Sequence, residues 1–232
     1  MSYNRLICFP SDYDMCVADY IEAKVKDARW KRFGVGELDE AIERANFPSR
    51  EREIVRHTPE GRVLAYAHWG LVPSWAQDAR IGRRAYNARS ETVAEKPMFR
   101  AAFKSRRCLL IGSSYCEWVD EGGKSASLEF AIDGGDMYAY AGLWEKWGDP
   151  ESPYISCTML TCPPNSTVEP FNDRMPVILS PEDYDAWLDP QTSHRDLLAL
   201  CLPLDASRVS VRRGRDPRKF DREHRDLGGL FG

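Results

Sequence analysis

Between Arg80 and Arg107 the chain places nine cations (Arg80, Arg83, Arg84, Arg89, Lys96, Arg100, Lys104, Arg106 and Arg107) against two carboxylates, Glu91 and Glu95. The 232-residue chain as a whole carries a formal net charge of −4. Local field, rather than net charge, decides what a binding site attracts. A cluster of cations beside Asn87, Ser90 and Thr92 therefore has the chemistry of an anion site, with a solvated helix face as the competing reading. A second reactive pair is Cys116 next to Glu117 in "SYCEW". A thiol reacts as its thiolate, and no histidine is placed by sequence to activate this one. The seven cysteines form no C-x-x-C pair and do not cluster with the four histidines, so neither a zinc site nor a disulfide framework is expected. No metal or cofactor is implied, and reduced thiols fit a cytoplasmic protein.

The elements that must position these groups read as one domain. Hydrophobic content is 43% and charged content 29%, enough for a sizeable core. No apolar run approaches the ~18 residues of a membrane span, and the N-terminus lacks the pattern of a secretory signal. A helix is expected over 14–31, from partial helical spacing of Cys16, Tyr20, Ala23 and Val25. A shorter one is expected in "ELDEAIERANFP", stopped before Pro48. "REREIVRHTPEGRVLAYAHWGLVP" reads as strand, Pro-Glu-Gly turn and strand. "EKPMFRAAFKSRR" reads as a helix that begins at Pro97 and groups Arg100, Lys104 and Arg107. "CLLIGSSYCEW" is a buried strand running into a turn. "SLEFAI", "MYAYAGLWEKW" and "YISCTMLTC" are further strands. "SPEDYDAWL" is a short helix capped by Ser180. The fold class is α+β, a single domain over residues 1–210 built around a curled, barrel-like sheet with flanking helices. Residues 211–232 read as a polar, mobile tail. The expected oligomeric state is a monomer.

Four segments combine a buried apolar part with a polar residue at a strand or loop end: "HWGLVPSW" (68–75), "YNARSET" (86–92), "RRCLLIGSSYCEW" (106–118) and "FNDRMPVILS" (171–180). In that order, with "AGLWEKW" (141–147) between the last two, they resemble the SOS-response-associated peptidase (SRAP) family over roughly residues 63–188. The resemblance implies a single-stranded DNA partner carrying abasic sites, and a covalent DNA–protein link made in the DNA-damage response. In the family the mature N-terminal residue is a cysteine. Its amine condenses with the ring-opened sugar aldehyde and its thiol closes a thiazolidine ring, while a Glu and a His move protons and an Asn helps hold the site. By motif, Asn87 takes the place of that Asn and Glu117 of that Glu. Both roles are chemically reasonable: a half-buried Glu can exchange protons near neutral pH, and Asn can hold a sugar oxygen without adding charge. The resemblance also assigns DNA contacts to Arg5, Arg89 and Arg174, base stacking to Trp75, and a basic edge to Arg100, Lys104 and Arg107.

The sequence departs from the family in two places. Ser2 stands where the N-terminal cysteine is expected, and Asn172 stands for the histidine of the R-M-P block. A Ser2 α-amine, with a pKa of about 7.7–8.0, can form an imine, but its hydroxyl closes a ring far less readily than a thiol. The expected product is then a reversible Schiff base. Asn172 cannot titrate as a histidine would. Translation from Met15 would expose Cys16 instead, at the cost of "YNRLICF", the segment read as the family's first strand; Cys8 has no α-amine to work with. Two other functions remain open: a non-covalent single-stranded DNA-binding protein of the same fold, and a cysteine hydrolase using Cys116.

Overall fold

The structure, a computed structural model, describes residues 18–21, 32–35, 44–214 and 216–217. Strands β3 (Glu51–Thr58) and β4 (Gly61–Trp69) form the hairpin that the Pro-Glu-Gly turn announces, with Thr58 opposite Gly61. β3 pairs on its other side with β6 (Arg107–Gly112), which pairs with β9 (Tyr138–Trp147). β9 pairs with β10 (Tyr154–Cys162), and β10 returns to β4 in parallel, Ser156 opposite His68. The order β10–β4–β3–β6–β9–β10 is a closed ring of five strands, which leaves no unpaired edge on those strands. Gly142 lies on β9 between β6 and β10. A Cβ there would stand 1.8 Å from Leu110 Cδ1 and 3.0 Å from Cys108 Sγ, so β6 side chains occupy that space.

A second, open sheet has the order β13–β8–β7–β1–β2. It contains β1 (Ala18–Ile21), β2 (Arg44–Asn46), β7 (Ser114–Asp120), β8 (Ser125–Ile132) and β13 (Val209–Arg213), all antiparallel. Only Ser113 separates β6 of the barrel from β7 of this sheet, so one strand expected from "CLLIGSSYCEW" is two strands that serve different sheets. The helix expected over 14–31 is corrected at 18–21, where all four residues are buried in β1. Asp19 explains why: its carboxylate accepts from Arg52 Nη1 at 2.7 Å and from Asn46 Nδ2 at 2.6 Å, tying β1 to β2 and to the barrel. Of the helix expected in "ELDEAIERANFP", residues 44–46 are strand β2, and residues 37–43 lie outside the described residues. β13 continues through Arg213, so residues 211–213 of the expected tail are a sheet edge.

The helices are short. α1 (Arg100–Ser105) starts later than Pro97 suggests, because residues 91–99 form a series of turns. α2 (Tyr184–Leu188) is preceded by a 3-10 turn over Pro181–Asp183, where Ser180 makes no side-chain cap and instead accepts from Arg208 Nη1. α3 is His194–Ala199, capped by Ser193 Oγ. α2 is fastened to the barrel by Trp187, whose indole N–H donates to Cys108 O at 3.0 Å and whose ring meets Phe103 edge-on. Among the described residues no helix is long and apolar enough to cross a membrane.

Candidate functional site

The short strand β5 (Asn87–Arg89) sets the first wall of the site. It pairs in parallel with β10, Asn87 opposite Met159 and Arg89 opposite Thr161. Strand alternation buries Ala88 and turns Asn87 and Arg89 to the other face, where Asn87 is half-buried and Arg89 exposed. The Tyr86 carbonyl holds the strand in place by accepting from Trp69 Nε1 at 2.8 Å and from the Met159 N–H at 3.0 Å. Trp69 is therefore a buried anchor.

The second wall is the segment 171–174. Asn172 is 2% exposed. Its Oδ1 accepts the Arg174 backbone N–H at 3.1 Å, and its own N–H donates to Val168 O. The Arg174 guanidinium forms a two-point ion pair with Glu91, with Nη2 to Oε2 at 2.8 Å, and also donates to Thr161 O at 2.7 Å. The same Thr161 carbonyl accepts from the Ser90 N–H. Glu91 and Arg174 thus join the segment carrying Asn87 and Arg89 to the segment carrying Asn172. Beside Arg174 the Glu91 carboxyl is held below the ordinary glutamate range. The DNA-contact expectation for Arg174 is corrected accordingly: the side chain is a brace between the two walls, 5% exposed.

The third wall is β7. Glu117 lies opposite Leu128 and is 3% exposed. It shares a strand face with Tyr115, two residues earlier. Tyr115 stacks on Phe130 at 4.8 Å between ring centroids, and Phe130 meets Phe171 edge-on at 5.9 Å. Phe171 is the neighbour of Asn172, so an aromatic chain carries the Glu117 strand to the second wall. Sequence reasoning singled out neither Phe171 nor Glu91. The signal for Glu91 was present as an acidic residue in a basic stretch, but its partner lies far along the chain.

Cys116 points to the opposite face, fully buried with Tyr20 and Ala45. Burial pushes its thiol well above the ordinary value, against a weaker opposing bond with Ser127. The described histidines with ring contacts face other groups, His68 against Tyr154 and His194 against Phe103. A thiol so placed is not a nucleophile, and the cysteine-hydrolase alternative fails on this geometry. Among the described residues no three His, Cys, Asp or Glu converge in a way that could hold a metal ion.

The expected basic edge divides. Arg89, Arg100 and Lys104 are exposed. Arg107 is corrected: it is 3% exposed, and its guanidinium donates to the carbonyls of Phe103, Lys104, Trp187 and Asp189, joining α1 to α2. Trp75 is 57% exposed, its indole N–H directed at Pro97 O at 3.4 Å. Ser2 and Arg5 lie outside the described residues.

Comparison with known proteins agrees with this arrangement. The model of the family "SOS response associated peptidase (SRAP)" matches residues 15–213. The match starts at Met15, directly before Cys16, and leaves Ser2 and Arg5 outside. The chain is 41% identical over 162 residues to the Bacillus subtilis protein named "Abasic site processing protein YoqW", covering 68% of this chain and 72% of that one. It is 31% identical over 169 residues to "Abasic site processing protein HMCES" of Xenopus tropicalis, covering 62% of this chain and 50% of that one. A crystal structure from Bacteroides thetaiotaomicron superposes with a TM-score of 0.76 at 25% identity, covering 87% of this chain and 93% of that one. A Bordetella bronchiseptica structure at 22% identity, TM-score 0.72, shares the fold, covering 87% and 100% of the two chains. The chain belongs to the SRAP family.

Proposed function

We propose that the protein captures abasic sites in single-stranded DNA as a covalent adduct, and that Cys16, made N-terminal by removal of Met15, supplies both reacting groups. The observation that carries this reading is the register of β1. Ala18 lies opposite Cys116, the immediate neighbour of Glu117. Cys16 lies outside the described residues, two positions before Ala18 in the sequence. The family match beginning at Met15 supports the same start, and this reading takes Cys16 rather than Ser2 as the reacting residue.

The chemistry runs in two stages. The Cys16 amine attacks the aldehyde carbon of the ring-opened sugar, and loss of water leaves an imine. The thiol sulfur then adds to the imine carbon, the thiol proton passes to nitrogen, and a thiazolidine ring closes. Glu117 shuttles protons for the addition and dehydration. Glu117 is buried on β7, where a carboxyl can give and take a proton within the site. Asn87 holds a sugar or phosphate oxygen. Asn172, locked by the Arg174 N–H, orients the substrate without titrating. Arg89, Arg100 and Lys104 neutralise phosphates, and Trp75 stacks on a base for about 1–3 kcal/mol.

The test uses a single-stranded oligonucleotide with one abasic site, incubated with chains begun at Met1 and at Met15. The expected result is an adduct that survives without reductant and maps by peptide mass to Cys16. An adduct trapped only by borohydride and mapped to Ser2 would overturn the assignment to Cys16. Binding with no covalent species would leave a non-covalent single-stranded DNA-binding protein. Glu117→Gln is expected to slow adduct formation by about 10²–10⁴-fold while leaving oligonucleotide affinity intact.

A further inference from the structure

The 3-10 turn over Ala79–Arg84 carries three arginines that no role above uses. Arg80 is neutralised locally, because Asp78 caps the turn and holds the Arg80 guanidinium at 2.6 Å. Arg83 and Arg84, in the last turn, are exposed and make no ion pair among the described residues. Such a turn would ordinarily be a mobile surface loop, but this one is fixed. Gly70 has φ +147, and a Cβ on it would stand 2.6 Å from Gly82 O. A Cβ on Gly82 would stand 2.5 Å from Gly70 O and 2.9 Å from Val72 Cγ2. The two backbones touch at a distance that only glycine at both positions permits. The Leu71 N–H donates to Ala85 O at 3.0 Å and closes the joint.

The joint fixes the arginines relative to the site. Arg84 precedes Asn87 by three residues, a reach of about 10 Å at most. On the other side of the turn, Trp75 precedes Asp78 by three residues and leans on Pro97, just ahead of Lys96's neighbour helix α1. An exposed aromatic thus contacts Pro97, the neighbour of Lys96, and precedes the arginine turn by a short stretch of chain. Phosphate-binding cations flanking a stacking ring is the pattern that holds a single strand without reading its sequence.

We infer that Arg83 and Arg84 form a second phosphate-contact segment, which grips the sugar–phosphate backbone of the strand on one flank of the abasic nucleotide. The inference rests on the reading that the ligand is single-stranded DNA and extends the contact track past the residues that touch the lesion. Its ligand is defined by chemistry: backbone phosphates, with no base recognition.

The experiment measures binding of the full chain to a labelled oligonucleotide by fluorescence anisotropy across a salt series. Arg83→Ala/Arg84→Ala is compared with Lys124→Ala/Arg195→Ala, which removes the same charge from exposed positions elsewhere. Each lost phosphate contact lowers the slope of log K against log salt by about 0.7 for a single strand. The arginine variant is expected to lose about 1.4 in slope, and the control variant none. The loss should disappear on an oligonucleotide truncated on one side of the abasic site and persist on one truncated on the other. Wild-type binding with an unchanged slope in the arginine variant would overturn this inference and leave the proposed function standing. Equal losses in the two variants, or a loss indifferent to both truncations, would overturn it as well. A wild-type chain that binds no single strand would overturn both.

Discussion

Among the arginine–carboxylate pairs of the described residues, two differ sharply in what surrounds them. Arg52 and Asp19 have side chains 1% and 1% exposed; Arg174 and Glu91 are 6% and 46% exposed. The first pair lies between the barrel and the second sheet. Arg52 adds a bond to Ile111 O at 3.0 Å and stacks 4.7 Å above Trp69, while Asn46 holds the other side of Asp19. The second pair stands at the mouth of the site, its carboxylate in contact with water. Ion pairing is the same chemistry in both places. Environment decides what removal of the carboxylate costs: without Asp19 no solvent reaches Arg52, whereas solvent reaches the Glu91 end and Arg174 keeps its bond to Thr161 O.

The largest break is expected at the buried pair. Asp19→Ala leaves Arg52 charged and unmatched, and should cost about 3–5 kcal/mol in equilibrium denaturation. Asp19→Leu with Arg52→Met sharpens the point. It should recover most of that loss, short of the roughly 1–3 kcal/mol for the Asn46 amide left without an acceptor. If the double variant is no more stable than Asp19→Ala, Coulombic stranding is not the cause. At the site, Glu91→Gln should change stability by no more than about 1 kcal/mol. Adduct formation should nevertheless slow on the order of 10- to 100-fold, because the two walls lose register. Arg174→Lys should not rescue it, since an ammonium cannot make the two-point contact, whereas Glu91→Asp should recover part of the rate.

The smallest effect is the pH dependence of the wet pair. Bonding to Arg174 lowers the folded-state value of Glu91, so its stabilising contribution is complete above the unfolded value of about 4.3 and fades as pH falls through the lowered folded value. The difference in Tm between wild type and Glu91→Gln should therefore be present at pH 7 and shrink in acid. A difference that grows in acid would contradict the assignment.

These two pairs also mark what could be read from the sequence. The β3–β4 hairpin was legible because its turn chemistry and alternation are local. So were the N-A-R-S-E-T and C-E-W blocks, which fall on strands β5 and β7. Residues 18–21 were misread as helical because their spacing is ambiguous and their state is decided by distant partners, Arg52 and β7. Arg107 and Arg174 were misread for a related reason. Residue type announces a cation, but only the fold reveals that four carbonyls enclose one and that Glu91 engages the other. The strand expected in "YNRLICF" lies outside the described residues.

The way β10 is shared has a consequence for synthesis. β10 pairs with β4, β5, β9 and β11 (Met175–Pro176), so it both closes the barrel and supports Asn87. Its residues leave the ribosome long after β4 and β5 have emerged. Until then the strand that carries Asn87 and Arg89 has no partner, and the ring stands open with two unpaired edges. Non-local closure of this kind is slow. A nascent chain ending before Tyr154 therefore has Asn87 and Arg89 but no strand to hold them. The first wall is therefore completed late in translation, when one strand closes the barrel and supports Asn87 together.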